Sequence, residues 1–158
     1  MSQSSHEQQS SINGVEAQIA NLYQQLLDCW NRRDATAYAA LFETNGLVIG
    51  FDGSQMHGRT EIETTIGAIF TDHATAAYVG KVRNIRLLSP EVVMLHAICG
   101  MVPPGASDLN PAANAIQTVV AVKQDDGWQI AHFQNTPAQF HGRPQLSEAL
   151  TNELRELL

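Results

Sequence analysis

Between residues 76 and 135 the chain spells out four long strand candidates with very little between them. Residues 76–88 end at Ser89-Pro90-Glu91, and residues 92–101 end at Pro103-Pro104-Gly105. Residues 115–123 and 128–135 follow, divided by Asp125-Asp126-Gly127. Strands joined by such short returns pair as antiparallel neighbours, so this half of the chain predicts a meander. The stretch 104–114 is rich in turn formers and reads as a loop. The last strand is the most informative. Strict alternation puts Trp128, Ile130, His132 and Gln134 on one face, and Gln129, Ala131, Phe133 and Asn135 on the other. Each face mixes apolar bulk with hydrogen-bonding groups. That predicts a central strand with a pocket on one side and a second cover on the other.

The first half has a different period. Ile12, Val15, Ile19, Leu22, Tyr23, Leu26 and Trp30 recur at steps of three and four, the stripe of one long helix. Asp34 reads as the N-cap of a short second helix over 35–42, with Asn45-Gly46 ending it. A hairpin follows, with strands 47–51 and 54–57 around Asp52-Gly53. A third helix near 60–71 has capping-box spacing at Thr60 and Glu63. Leu146, Leu150, Leu154 and Leu157 give the tail, 145–158, a helical stripe. Helices first and strands after predict an α+β fold: a cone of N-terminal helices packed on a strongly curved antiparallel sheet. The expected organisation is a disordered polar N-terminus over 1–11, one domain over 12–140 and a helical extension over 141–158.

Composition narrows the function. Charged residues are 16% of the 158 and the net charge is −7, with the nine Lys and Arg scattered, which disfavours nucleic acid and anionic membranes as partners. No apolar run reaches the roughly 20 residues a membrane helix needs. The N-terminus lacks the apolar core of a secretory signal, so a cytoplasmic setting is expected. Cys29 and Cys99 are too few for a disulfide framework and read as small buried hydrophobes. The six His and two Cys show no paired ligand spacing, so no metal is expected. No Gly-x-Gly-x-x-Gly follows a strand, and no cofactor is expected.

Several motifs, taken in order, carry a resemblance. Trp30-Asn31, Asp34-Ala35, Leu41-Phe42, Gly58-Arg59 with Ile62, and Gly127-Trp128-Gln129-Ile130 leading to Phe133-Gln134-Asn135-Thr136 resemble the SnoaL-like proteins. More narrowly, they resemble the SgcJ/EcaC type within the nuclear transport factor 2-like (cystatin-like) superfamily. The resemblance implies three N-terminal helices on a curved sheet, a cone-shaped pocket and commonly a homodimer. It does not fix an activity, because the superfamily holds isomerases, dehydratases, cyclases, epoxide hydrolases and plain binding modules. Where family members often carry an acidic residue after the second helix, this chain has Asn45.

Proton-transfer enzymes of that superfamily often use a carboxylate in an apolar pocket. Here no Asp or Glu falls in the middle of a strand, and Asp52 reads as a turn residue. His96 and His132, both mid-strand, become the acid–base candidates if the protein is an enzyme. Satisfied core histidines are the blander reading of both. The expected pocket is lined by Trp30, Tyr38 and Phe42, with His57 at its edge and Asn135 as the leading polar contact. Tyr38 and Tyr78 could each donate to a carbonyl. The ligand expected is a small apolar or aromatic molecule, bound or turned over without a cofactor by an isomerase, cyclase or dehydratase. The alternative is a dimerising or partner-binding module with a vestigial pocket. Apolar residues on both faces of the strands motivate the homodimer, with the tail helix as a rival cover.

Overall fold

Apolar side chains every three or four residues make the first helix one-sided, and the sheet curls around that side. The computed structural model describes residues 14–158; the predicted disordered stretch 1–11 and Ile12 lie outside the described residues. The order is α1 (Ser2–Asn31, followed here from Gly14), α2 (Ala35–Ala40), β1 (Phe42–Ile49), β2 (Gln55–His57) and α3 (Arg59–Asp72). Then come β3 (Ala77–Ser89), β4 (Val92–Val102), a 3₁₀ turn (Pro111–Ala113), β5 (Ala115–Gln124), β6 (Gly127–Pro137) and α4 (Pro144–Arg155). The sheet is six-stranded in the order β2-β1-β6-β5-β4-β3, curled but not closed. The predicted meander is β3 to β6, all antiparallel. The sheet as a whole is mixed, because β1 runs parallel to β6.

Ile19, Leu22, Tyr23, Leu26 and Leu27 of α1 are buried against the inner face of the sheet. That face carries Val93, Leu95 and Ala97 from β4, Val119 and Ala121 from β5, and Ile130 and Phe133 from β6. Asp34 caps α2 as predicted, its Oδ1 accepting from Ala37 N at 3.0 Å. Two local expectations fail. Asn45-Gly46 does not end a helix; both lie within β1, where the register with β6 shifts between Phe42 and Leu47. Thr60 and Glu63 do not form a capping box, since α3 starts one residue earlier with Gly58 as its N-cap. Glu61 does related work, its Oε2 accepting from His57 N at 2.6 Å. Glu63 turns instead to Thr36, whose hydroxyl donates at 2.8 Å.

The largest correction concerns β6. Val120 pairs with His132 and Ala121 pairs with Ile130, so Ala131 is an extra residue, a bulge. The bulge resets the alternation. Ile130 joins Phe133 and Asn135 on the inner face, all three buried, rather than sharing a face with His132.

On the outer face α4 packs over one end of the sheet. Leu150 and Leu154 are buried there with Ile98 and Leu109 in a second small core. Glu153 is held by Lys81 at 3.1 Å and Arg83 at 2.5 Å, both from β3. The rest of that face, including Met94, His96, Thr118, Val120, His132 and Gln134, is half-buried.

Candidate functional site

A cavity of about 260 Å³ opens between the helices and the inner face of the sheet. Its walls are Trp30 from α1, Tyr38 from α2, Ile66 and Ile69 from α3, and Val48, Tyr78, Phe133 and Asn135 from the sheet. The β1–β2 turn forms part of the lining with Gly50, Asp52, Ser54, Gln55 and Met56. Gly53, with φ of 90°, supplies the left-handed backbone that this turn needs.

The motif at the end of α1 builds one wall by gripping the start of β3. Trp30 Nε1 donates to Ala76 O at 2.9 Å. Asn31 makes a two-way clasp with Tyr78: its Nδ2 donates to Tyr78 O at 3.0 Å, and Tyr78 N donates to its Oδ1 at 2.8 Å. Arg33, at φ 59°, reaches across to donate to the carbonyls of Phe70 and His73, its guanidinium 5.4 Å from the Phe70 ring centre. Trp30 therefore stands edge-on to Phe70 and Tyr78, with ring centres 5.1 and 5.5 Å away. These contacts fix three of the aromatic rings around the cavity end.

The uncharged polar side chains of the cavity are Tyr38, Thr65, Tyr78 and Asn135 on its walls, with Ser54 and Gln55 at the turn. Burial pushes the pKa of Tyr38 well above the ordinary tyrosine value, and burial likewise raises that of Tyr78. Both hydroxyls stay protonated at neutral pH and remain donors. Asn135 supplies an amide from the end of β6. Among the described residues no Lys, Arg or His lines the cavity. Asp52 is the lining's one carboxylate among the described residues, and it is exposed. Hydrogen bonds from Ser54, its backbone N–H first, hold the Asp52 pKa below the usual carboxylate value.

Of the residues expected at the site, the structure brings Trp30, Tyr38 and Asn135 together in one cavity. Phe42 stands one layer behind, fully buried, its ring 5.6 Å from that of Tyr38. His57 is exposed on β2, paired with Leu47, away from the lining. His96 and His132 do not reach the cavity. His96 pairs with Thr118 and His132 with Val120 on the outer face, where His132 Nε2 meets Gln134 Oε1 at 3.0 Å. The predicted opposition of His132 and Asn135 across the sheet holds, bulge notwithstanding.

Sequence reasoning passed over Asp52 as a turn residue and Gln117 altogether. Gln117 is fully buried between Asn135 on β6 and Ala97 on β4. The signal was available: a lone amide at an inward position of an otherwise apolar strand. The two thiols are free and buried, as expected. Burial raises the pKa of both, Cys99 to about 12, which keeps them unreactive. Among the described residues no group of three His, Cys, Asp or Glu is placed to hold a metal, and no helix is long and apolar enough to cross a membrane.

The family model of the SnoaL-like domain matches residues 19–138. No curated protein matches the chain. Among solved structures, a domain of unknown function with a cystatin-like fold from Nostoc punctiforme is 24% identical. The match covers 86% of this chain and 85% of that one at a TM-score of 0.76. A ketosteroid isomerase-like protein from Erwinia carotovora atroseptica is 16% identical over 78% of this chain and 95% of its own, at a TM-score of 0.62. An NTF-2 like protein of unknown function from Shewanella oneidensis is 20% identical over 77% and 98%, at a TM-score of 0.60. At these identities the structural likeness establishes the fold.

Proposed function

This chain belongs to the SnoaL-like domain family, and from that premise we propose that it binds a small, largely apolar molecule in the cavity above Asn135. One observation carries the reading. The cavity is walled by aromatic and aliphatic side chains, yet Tyr38, Tyr78 and Asn135 bring it polar groups. An apolar pocket with a few convergent polar groups is the usual form of a small-molecule site. Its volume sits just under the usual range for such sites, which favours ligands of one or two rings. The motifs at Trp30-Asn31 and Phe133–Thr136 favour the narrower SgcJ/EcaC type, and a cytoplasmic setting would keep both thiols reduced.

The chemistry open to the cavity is polarisation of a bound oxygen by neutral donors. His96 and His132 are on the other side of the sheet and cannot serve a ligand there. Asp52 is a weak base at an exposed position. Binding is therefore better supported than isomerase, cyclase or dehydratase turnover. The test is a thermal-shift panel of one- to three-ring ketones, phenols and hydrocarbons against the wild type and Ile66→Trp, which fills the cavity. Stabilisation of the wild type alone supports the reading. If no compound raises Tm, or if the variant responds equally, the cavity is not the site.

The outer face favours a second, compatible role. Met94, Val120 and their neighbours stay half-buried beyond the edge of α4. A second copy of the chain is the cover we propose for them.

A further inference from the structure

Behind the cavity runs a hydrogen-bonded chain that the pocket reading leaves unused. Tyr23 Oη donates to Gln117 Oε1 at 2.6 Å, and Gln117 Nε2 donates to Asn135 Oδ1 at 2.8 Å. The three residues are 1%, 0% and 8% exposed, so water does not compete for these groups. Such a chain has a direction. An amide oxygen only accepts and an amide nitrogen only donates. With the Tyr23 proton on Gln117 Oε1, the Gln117 nitrogen faces Asn135, and the Asn135 oxygen is turned toward Gln117 with one of its two lone pairs used. What remains for the cavity is Asn135 Nδ2, which has no protein acceptor among the described residues.

The lining adds a charge rule. Among the described residues it holds no cation and one carboxylate, Asp52, so an anionic ligand gains no partner and meets a like charge. Asn135 Nδ2 faces the cavity without a protein acceptor among the described residues, so a ligand that supplies an acceptor gains a hydrogen bond there.

We infer that the cavity selects an uncharged one- or two-ring molecule bearing an accepting oxygen, a ketone or ester carbonyl, seated on Asn135 Nδ2. Tyr23 and Gln117, neither of which touches the ligand, are positioning residues that fix this polarity. The inference rests on the pocket reading above and goes further by naming the ligand class and what enforces it. Removing the Tyr23 hydroxyl frees Gln117 to turn over. Asn135 can then offer either its oxygen or its nitrogen, and the preference for acceptors over donors disappears.

Three probes of one shape test this: 2-acetylnaphthalene, 2-naphthol and 2-naphthoate, titrated by fluorescence and calorimetry. The proteins are the wild type, Tyr23→Phe, Asn135→Leu and Ile66→Trp, each checked for folding by circular dichroism. The wild type should bind the ketone tighter than the naphthol by roughly 3–10-fold, the scale of one net hydrogen bond, and the carboxylate weakest. Tyr23→Phe should bring the ketone-to-naphthol ratio close to one. In Asn135→Leu the carbonyl stretch of bound ketone should move to higher frequency as its hydrogen bond is lost. Loss of a merely structural contact would weaken all probes together and leave the ratio alone. If Asn135→Leu does not fold, the shape-preserving Tyr23→Phe and the carbonyl frequency in the wild type still decide. A wild type without ketone preference, or a ratio unmoved in Tyr23→Phe, overturns the polarity inference while the pocket stands, provided Ile66→Trp still abolishes binding. If no probe binds the wild type, or Ile66→Trp binds them all normally, the pocket reading fails and takes the inference with it.

Discussion

Gly80→Ala is the sharpest stability test of the contact between α1 and the sheet. A Cβ built at Gly80 lies 2.3 Å from Tyr23 Oη, 2.7 Å from Leu27 Cδ1 and 3.1 Å from Tyr23 Cζ. The leucine methyl can swing aside, but the phenol is fixed by its bond to Gln117. To reach ordinary contact, Oη must retreat by more than an ångström. That stretches a 2.6 Å hydrogen bond past the useful O–H···O range. Overpacking costs about 1–3 kcal/mol. The Gln117 oxygen left buried without a donor adds about 1–3 kcal/mol. Replacing a strand glycine returns about 0.5–1 kcal/mol of backbone entropy. The net loss should be about 2–4 kcal/mol, measured by urea unfolding with an unchanged m-value. The mechanism predicts non-additivity. In a Tyr23→Phe background the hydroxyl is already gone, so the same glycine change should cost less by about 1–2 kcal/mol. An additive cycle, or a Gly80→Ala protein as stable as the wild type, would refute the idea that the glycine exists to admit Tyr23.

Leu154→Ala should destabilise by about 2–5 kcal/mol, because Leu154 of α4 is fully buried in the small core between that helix and the sheet; a loss under 1 kcal/mol in chemical unfolding would mean that α4 is not firmly docked. Glu153 should make the α4 attachment acid-sensitive. The hydrogen bonds from Arg83 and then Lys81 depress its pKa, so its contribution is present above the ordinary carboxylate pKa and lost as pH falls through the lowered one. Protection of the α4 amides, taken as exchange relative to the intrinsic rate at each pH, should therefore fall as pH drops below the ordinary carboxylate range, modestly and more weakly in high salt, and Glu153→Gln should remove the dependence; identical protection in both proteins would count against it. The outer face should pair with a second copy: sedimentation at micromolar concentration should give a dimer, and Val120→Glu a monomer, whereas a monomeric wild type ends the proposal.

The fold was legible because its signals are long. The α1 stripe from Val15 to Trp30 and the strand-rich half after Ala76 each span many residues, so single misreadings do not accumulate. Short-range expectations did worse where a neighbour in space decided the outcome. Thr60 and Glu63 have the spacing of a capping box, yet α3 begins at Arg59, Glu61 reaches back to His57, and Glu63 finds the Thr36 hydroxyl. Asn45-Gly46 looks like a helix end, yet the parallel pairing of β1 with β6 draws both into a strand. No local pattern encodes a parallel partner that lies some 85 residues further along the chain.

The candidate site shows the same limit in its most consequential form. Period-two reading of β6 assigns Ile130 to the side of His132, which makes the histidine seem part of the core and so a candidate base. One extra residue at Ala131 reverses this. From Gly127 to Ile130 the strand keeps one phase, and from His132 to Pro137 it keeps the other. Burying both Ile130 and Phe133, three residues apart, is possible only with such a bulge. The amphipathic pattern already held the hint, since Ile130 and Phe133 are the two largest apolar residues of the run after Trp128 and a regular strand cannot bury both on one side. Weighting bulk over alternation would have placed His132 outside. The cavity would then have been left to Asn135 and the tyrosines, whose protons are donated rather than taken. That difference in chemistry, set by one inserted alanine, moves the best reading from histidine-driven proton transfer to recognition of an oxygen by neutral donors.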